Sequence, residues 1–496
     1  MASRLTRRRG YDEVSPVSPK SAEHLMRTHS FPKSAVGLGA VLAAITLTPP
    51  ASSFAQDAAK PNTSKPNASK PNTTDSDARE RWASAIDPWI NDELPKLAGV
   101  YQYFHAHPEV SFEESGTAAK LADHFRDAGL TVTTGIGGHG IAGIMENGDG
   151  PIVMIRCDMD ALPVREQTPL PFASTQTIEL EGGGTAGVMH ACGHDVHMTN
   201  VVGALRFLTG HRTMWRGTLI AIGQPAEERG AGAEAMLKDG LFERFPKPDY
   251  AIALHASADT AAGTVKLRGG YSLANVDSVD IIVKGRGGHG SQPHNTIDPI
   301  AQAAALVMDL QSIVSREIKP IEPAVVTVGA INGGTKHNII GDHCHLQITV
   351  RSYTDEVRTQ LLESIRRKAK AVAMSYRAPE PEVRISEGTP SLRNDPDLAA
   401  RMSTLFRGLL GDPNVSDDEP SMGGEDFSRY GKAGVPILMY RLGTITDDRL
   451  QRYESLGIPP PSLHSAEYHP DFEPTIRTAV TTMVAATLDL MPPPTE

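Results

Sequence analysis

Residues 152–160 read Ile-Val-Met-Ile-Arg-Cys-Asp-Met-Asp: an apolar, strand-like run, Ile152–Arg156, that leads into the carboxylates of Asp158 and Asp160. The same arrangement recurs twice further along the chain, where Thr218–Gly223 precedes Glu227 and Glu228, and Tyr250–Leu254 precedes His255. Because open α/β sheets bind ligands at the carboxyl ends of their strands, these side chains should converge in one crevice. We therefore predict an α/β fold with a mostly parallel sheet and helices on both faces.

Two further fragments carry metal-binding side chains. Residues 190–197 read His-Ala-Cys-Gly-His-Asp-Val-His, and His464 stands in a Pro-rich loop. Gly193 permits a tight turn between Cys192 and His194, and a helix starting there favours the thiolate form of the cysteine. Cysteine, histidine and carboxylate side chains are the ligands that zinc and similar ions select. Together with Glu228 and His255, these residues predict a metal centre with two ions.

Other metal-binding candidates have equally good structural explanations. His197 either binds metal or only packs against and bonds the loop. Asp158 and Asp160 alternate along an extended segment, so both face the site; they either bind metal directly or fix the tautomer of a ligand histidine. The remaining cysteines, Cys157 and Cys344, are interpreted as small buried apolar residues.

Glu227 and Glu228 are adjacent on an irregular turn and should therefore point in different directions. One carboxylate can then hold metal while its neighbour faces the reacting water. Metal-assisted hydrolysis needs this division between a Lewis acid and a base. A solvated acidic turn is the alternative, but the preceding run, Thr218–Gly223, is typical of a buried strand.

The pattern of elements predicts a catalytic domain in two parts, residues 79–273 and 388–496, interrupted by an inserted unit at 274–387. The expected order of the inserted elements is strand, helix, strand, strand, helix, strand, as in a ferredoxin-like unit. These elements are expected at Val276–Val283, Pro299–Ile318, Ala324–Ile331, Cys344–Val350, Asp355–Ser375 and Glu382–Ser386.

The amino-terminal residues predict export. Basic residues precede the apolar stretch Ala35–Leu47 and the small-x-small pattern Ser53-Phe54-Ala55, so residues 1–55 are interpreted as a signal peptide for a periplasmic or secreted protein. An uncleaved signal anchor is the alternative. Residues 56–78 contain a Lys-Pro-Asn-Thr/Ala-Ser/Thr repeat and are interpreted as a linker. The formal net charge of −11 argues against nucleic acid or an anionic membrane as partner.

Six motifs, in this order along the chain, resemble the aminoacylase/carboxypeptidase-type metallopeptidases. The closest branch contains hippurate hydrolase and the plant hydrolases of indole-acetyl–amino-acid conjugates. The motifs are Asp-Met-Asp-Ala-Leu-Pro-Val (158–164), Met-His-Ala-Cys-Gly-His-Asp-x-His (189–197), Gln-Pro-Ala-Glu-Glu (224–228), Gly-Gly-His-Gly-x-x-Pro-His (287–294), Gly-Glu-Asp-Phe (424–427) and Leu-His-Ser (463–465).

The resemblance implies a role for each site residue. It implies a dinuclear site with Glu227 as general base and Cys192 as the bridging ligand; the implied ligand set is Cys192, His194, Glu228, His255 and His464. It further implies that His289 polarises the scissile carbonyl and that Asn338 and Arg351 contact a substrate carboxylate. Without the resemblance, the residues alone favour a surface loop at His289 and a strand-end charge at Arg351. The inserted unit is implied to form a homodimer. Residues 338–341 read Asn-Ile-Ile-Gly where the family usually has Asn-Val-Ile-Pro.

These observations predict a metal-dependent amidohydrolase that cleaves N-acyl amino acids with two divalent ions, zinc or manganese. A di- or exopeptidase, or an N-acetyl-amino-acid deacetylase of the same mechanism, is an alternative. A non-catalytic metal- or ligand-binding module is an alternative of another class. Glu227 argues against the module, because a pure binding site has no use for an unligated base.

Overall fold

A computed structural model describes residues 75–180 and 182–493. The predicted signal peptide and nearly all of the predicted linker lie outside these ranges. Within them, no helix is long and apolar enough to cross a membrane.

The helices of the described ranges begin and end as follows: α1 Asp75–Ala106, α2 Ser115–Asp127, α3 His194–Gly210, α4 Gly232–Lys238, α5 Leu241–Arg244, α6 Pro299–Ser312, α7 Asp355–Ser375, α8 Pro396–Leu410, α9 Ser428–Lys432, α10 Asp447–Leu456 and α11 Phe472–Leu490. Three short 3-10 turns lie at Arg212–Met214, Pro293–Asn295 and Asp412–Asn414, and a single wide turn, Ile313–Glu317, extends α6.

The strands of the same ranges are β1 Thr131–Ile136, β2 Gly140–Asn147, β3 Ile152–Asp158, β4 Thr177–Glu179, β5 Thr185–Gly187, β6 Gly217–Gln224, β7 Tyr250–Ala261, β8 Val265–Leu267, β9 Gly270–Leu273, β10 Asn275–Lys284, β11 Gly288–His289, β12 Ala324–Gly333, β13 Ile339–Ile340, β14 His343–Ser352, β15 Glu382–Glu387, β16 Leu392–Asn394, β17 Val415–Asp417 and β18 Ile437–Ile445.

Eight of these strands form the main sheet, in the order β1-β2-β6-β3-β7-β18-β8-β17. Its centre is parallel, since β3 pairs in parallel with both β6 and β7, and β7 pairs in parallel with β18. Val153 and Ile155 pack into a cluster with residues of α1, α3, α8 and α11, whereas Met154 packs on the other face with Met236 and Tyr430. Successive residues of β3 are thus buried on opposite faces, and the prediction of a mostly parallel sheet between helices is confirmed.

Residues 275–387 build a separate four-stranded antiparallel sheet, in the order β12-β14-β10-β15. Val279, Ile281 and Val283 alternate along β10 and pack in a hydrophobic cluster with residues of α6 and α7. Strands and helices follow one another in the expected order. The domain boundaries and the role of this segment as a lid and dimer interface stay predictions.

The expectation that a strand ends at His255 is wrong. Strand β7 continues to Ala261, because β18 pairs with it in parallel from Ala251 onward and extends the ladder well beyond His255. The other two strands end as the pattern predicts: β3 ends at Asp158, and β6 ends at Gln224, three residues before Glu227.

Candidate metal centre

Two sets of three potential ligands share Cys192. One set is Cys192, His194 and His255, and the other is Cys192, Glu228 and His464; within each set the ligand atoms lie within 4.8 Å of one another. The Cys192 Sγ atom is 3.6 Å from His255 Nε2, and Glu228 Oε1 is 3.6 Å from His464 Nε2. The structure therefore brings together all five residues predicted as ligands, and Cys192 is common to both sets.

Backbone conformation places these donors side by side. Gly193 has φ +82° and precedes the first residue of α3, His194, so the chain reverses between the two donors. A Cβ atom at Gly193 would lie 2.9 Å from the Cβ of Ala256, next to His255 on β7. His464 also has a positive φ, +67°, and its backbone N–H donates to the carbonyl of Ala191 at 2.8 Å. The two loops that carry Cys192 and His464 are thus joined directly.

Two of the histidines predicted as ligands are oriented by backbone carbonyls. The Nδ1 atom of His194 donates to the carbonyl oxygen of Asp160, and Nδ1 of His255 donates to that of Ala256, each at 2.8 Å. Because Nδ1 is engaged in this way, Nε2 is the ring nitrogen of each histidine that is available to a metal ion. Among the described residues, His194 Nε2 and Glu228 Oε1 are buried without a hydrogen-bond partner. Orphaned atoms of these types fit a divalent metal, because buried polar groups otherwise find partners.

His197 has both ring nitrogens engaged. The backbone N–H of Ala256 donates to its Nε2 at 2.9 Å, so the proton lies on Nδ1, which donates to Asp158 at 2.6 Å. The geometry therefore favours the interpretation that His197 hydrogen-bonds its surroundings over the interpretation that it binds metal. It also places Asp158, whose Oδ2 is 3.7 Å from His194 Nε2, beside the ligands.

Burial and neighbouring charges shift the pKa values of several groups in the cluster. Burial lowers the pKa of His194, but Asp158 and the other neighbours raise it well above its usual value. Burial raises the pKa of the Cys192 thiol well above its usual range. The expected stabilisation of the thiolate by the start of α3 is therefore outweighed by desolvation, and a thiolate here needs a cation beside it.

Glu227 differs from Glu228 in its surroundings. Its carboxylate lies near His194, with Oε2 3.9 Å from Nε2; it is outside both sets that share Cys192 but forms a further set of potential ligands with His194 and Glu228. Burial raises the pKa of Glu227 well above its usual range, and the carboxylates of Glu425 and Asp426 raise it further. A carboxylate with a raised pKa beside the metal donors has the property required of a general base.

Sequence reasoning gave no role to the buried Arg156. Its guanidinium donates to Asp158 at 2.6 Å, Glu425 at 2.9 Å and Asp426 at 3.3 Å, and all of these groups are buried. The guanidinium of Arg156 thus fixes the carboxylates of Asp158 and of the Gly-Glu-Asp-Phe motif relative to one another. The available signal was an arginine inside an otherwise apolar strand, since buried charges are paired.

Another buried network involves Asp195, the residue that follows His194. His105 contacts Asp195 through Nδ1 at 2.7 Å and Glu166 through Nε2 at 2.9 Å. Burial lowers the pKa of His105, but hydrogen bonds to the two carboxylates raise it to about 9. At neutral pH an imidazolium therefore joins Asp195, at the start of α3, to the loop that carries Glu166.

Three predicted substrate-contacting residues lie in the inserted unit, away from the five donors. His289 is exposed and its ring accepts a hydrogen bond from the backbone N–H of Ser291 at 3.1 Å. Asn338 is also exposed, and its carbonyl accepts from Gly290 N–H, so it lies beside His289. Arg351 donates to the carbonyl of Met422 at 2.9 Å. Across residues 75–180 and 182–493, none of the three is hydrogen-bonded or ion-paired to a donor of the cluster.

Residues 154–454 match the model of the peptidase family M20/M25/M40. The chain belongs to this family. The predicted resemblance and the predicted class of enzyme, a hydrolase of the amidohydrolase/metallopeptidase type, are thereby confirmed.

Relatives of this M20/M25/M40 peptidase include two enzymes of the predicted type. The chain is 36% identical to the N-acetylcysteine deacetylase of Bacillus subtilis, over 70% of this chain and 88% of the relative. It is 36% identical to the hippurate hydrolase of Campylobacter jejuni, over 69% and 87%. Its fold is similar to that of the Bacillus subtilis YXEP protein, described as a dinuclear metal-binding peptidase, with 28% identity, a TM-score of 0.66 and coverage of 81% of this chain and 99% of that one.

Proposed function

We propose that this protein is a metal-dependent amidohydrolase that cleaves the amide bond of N-acyl amino acids and releases a carboxylic acid and a free amino acid. The observation that carries the proposal is the pair of donor sets sharing Cys192, with Glu227 close to His194 but outside both. A binding module would have no need of that additional carboxylate. The N-acetylcysteine deacetylase and the hippurate hydrolase among the relatives support the substrate class.

Two divalent ions, zinc or manganese, fit the donors. Cys192, His194 and His255 would hold one ion, and Cys192, Glu228 and His464 the other. When bound, the ions supply Lewis acidity that activates water and polarises the amide. The relative described as a dinuclear metal-binding peptidase supports the number of ions.

The chain's own residues handle the proton and the substrate. Glu227 takes a proton from the attacking water and returns it to the leaving nitrogen, so that the amine departs neutral. His289 donates to the carbonyl oxygen as negative charge develops on it. Asn338 and Arg351 bind the carboxylate of the amino-acid half, for which a guanidinium is well shaped. We assign Asp158 and Asp160 to orienting histidines and the Glu227–Glu228 turn, because their carboxylates are already bonded there.

A cavity of about 800 Å³ lies beside the segments that carry His255 and His464 and has room for one half of such a substrate. Ala256 and Ser257, which follow His255, line one side, and Leu463, which precedes His464, lines another. Within the proposal, the protein is exported by its amino-terminal segment and works as a homodimer through the inserted unit.

A substrate screen tests the function. The purified protein, loaded separately with zinc and manganese, is assayed on N-acetyl, N-benzoyl and indole-acetyl amino acids beside dipeptides. We expect the enzyme to have its highest kcat/KM on an N-acyl amino acid. Faster cleavage of dipeptides would replace the proposed function with the peptidase alternative, and metal binding without hydrolysis of any amide would favour the binding module.

A further inference from the structure

The turn that carries Glu227 and Glu228 is held by carboxylates at three successive residues. The backbone N–H of Ala226 donates to Glu114 Oε1 at 2.8 Å. Those of Glu227 and Glu228 donate to the two oxygens of Asp160 at 3.2 and 3.0 Å. Asp160 is itself fixed by the hydroxyl of Ser111 at 2.6 Å.

Ala226, at the centre of this turn, has an uncommon backbone conformation. It is fully buried with φ +49°, in the left-handed region that residues with a Cβ rarely adopt. Such a conformation persists only where neighbouring contacts impose it. It reverses the chain directly before Glu227, so the base and the ligand that follow depend on it for their directions.

The side chain of Glu114 does not cap the helix that follows it. It stands immediately before α2, at the position whose side chain normally caps the helix, yet it makes no capping bond. Glu109 replaces it there, accepting from the N–H groups of Gly116 and Thr117 at 3.1 and 2.6 Å. Glu114 is therefore free to reach Ala226. It is completely buried, and its second oxygen has no partner among the described residues.

We propose that Glu114 is a positioning residue of the metal centre: its carboxylate holds Ala226 in the left-handed conformation, which directs Glu228 to the metal donors and Glu227 to the reacting water. The proposal rests on the proposed function for the roles of the two glutamates. Burying a carboxyl group is costly unless it is bonded, and the bond that this carboxylate makes to another segment of the chain is the one to the N–H of Ala226. Because that bond reaches the strained turn directly before Glu227 and Glu228, Glu114 can fix the directions of these two side chains.

The first test replaces Glu114 by Ala in the full chain. We expect kcat to fall about 10- to 100-fold at saturating metal, the usual range for a group that supports a ligand, with little change in KM. The affinity for added Zn²⁺, measured by titration calorimetry on the metal-free protein, should weaken by a similar factor. Glu114→Gln keeps an oxygen that can accept from Ala226 and should remain within a few-fold of wild type. Glu113→Ala, an exposed neighbour, is the matched control.

The decisive test is a rescue. Glycine adopts positive φ without steric cost, so Ala226→Gly in the Glu114→Ala background should restore most of the lost kcat and Zn²⁺ affinity. If Glu114→Ala does not fold, Glu114→Asp, which keeps the charge but withdraws the acceptor, is used in its place with the same expectations. Wild-type kcat and Zn²⁺ affinity in the single variant would overturn the proposal, and so would a loss that the glycine does not reduce.

The two proposals fail in different ways. The Zn²⁺ titration needs no substrate, and kcat can be measured on whichever amide the wild type cleaves best. A wild type that prefers dipeptides would change the proposed substrate while leaving the Glu114 result intact. Conversely, normal hydrolysis of N-acyl amino acids by Glu114→Ala would remove Glu114 from the centre and leave the proposed function standing.

Discussion

The donors of the main sheet and the three candidate residues of the inserted unit differ in how completely the fold prepares them. Four of the five donors are buried or nearly so, and two of the histidines are already oriented by hydrogen bonds from Nδ1 to backbone carbonyls. His289 and Asn338 are exposed, and Arg351 is held by a carbonyl of residue 422. The contrast indicates that the proposed metal-binding half of the site is preorganised, whereas the proposed substrate-binding half depends on how the inserted unit meets the substrate.

The inserted residues nevertheless share a local framework. His289 pairs with Ile339 in the short ladder of β11 and β13, and the N–H of Gly290 donates to Asn338. His289 and Asn338 are therefore held next to each other. Changes to the two halves should have different signatures: those in the main sheet should alter metal content or chemistry, and those in the inserted unit should alter substrate selection.

Cys192→Ala should have the largest effect, because it removes a donor from both sets at once. Activity should fall by more than the ~10²–10⁴-fold expected from losing a general base alone, and elemental analysis should show fewer than two ions per chain. Cys344→Ala, in the core of the inserted unit, is the matched control and should keep its metal. Full metal occupancy in Cys192→Ala would show that Cys192 is not a metal ligand and is only a small buried residue.

Glu227→Gln should have the second-largest effect on activity, while the protein keeps its fold and its metal. Only the proton acceptor is lost, so kcat should fall about 10²–10⁴-fold while metal content matches wild type. Glu228→Gln is the informative neighbour, since it should lose metal as well as activity. Near-normal turnover by a metal-replete Glu227 variant would show that another group takes the proton.

Arg351→Ala should affect substrate selection alone. Losing one partner of a hydrogen-bonded charge pair costs roughly 2–5 kcal/mol; because Arg351 is only half-buried, we expect the lower end, about a 30-fold loss of kcat/KM for an N-acyl amino acid. The corresponding amino-acid amide, already a poor substrate, should change little. Equal losses on acid and amide would make Arg351 structural, tying the inserted unit to the loop at Met422.

The smallest effect on catalysis is expected from His105, which should change stability rather than neutral-pH turnover. Its pKa is raised from 6.5 to about 9, so its contribution to the free energy of unfolding is fully present below pH 6.5 and is lost as the pH rises through about 9. Urea unfolding at pH 6 and pH 9.5 measures this loss. His105→Gln should be less stable at pH 6 and should lack that part of the pH dependence; an unchanged slope would mean that His105 is neutral in the folded protein.

The sequence by itself determined the fold class and the candidate residues of the site. Hydrophobic runs such as Ile152–Arg156 and Thr218–Gly223 predict buried strands because strand burial leaves a local pattern, and the spacing of Cys192 and His194 is local too. The same reasoning failed at His255, because the length of β7 depends on its pairing with β18, far along the chain.

Only the tertiary structure decided how each side chain is used. The bond of His194 Nδ1 to a backbone carbonyl, the engagement of both nitrogens of His197 and the pairing of Arg156 with Glu425 all depend on partners distant in sequence. So does the raised pKa of Cys192, which the start of α3 alone would lower. Hydrogen bonding and desolvation act over a few ångströms in space, and no periodicity in the chain records which residues the fold brings that close.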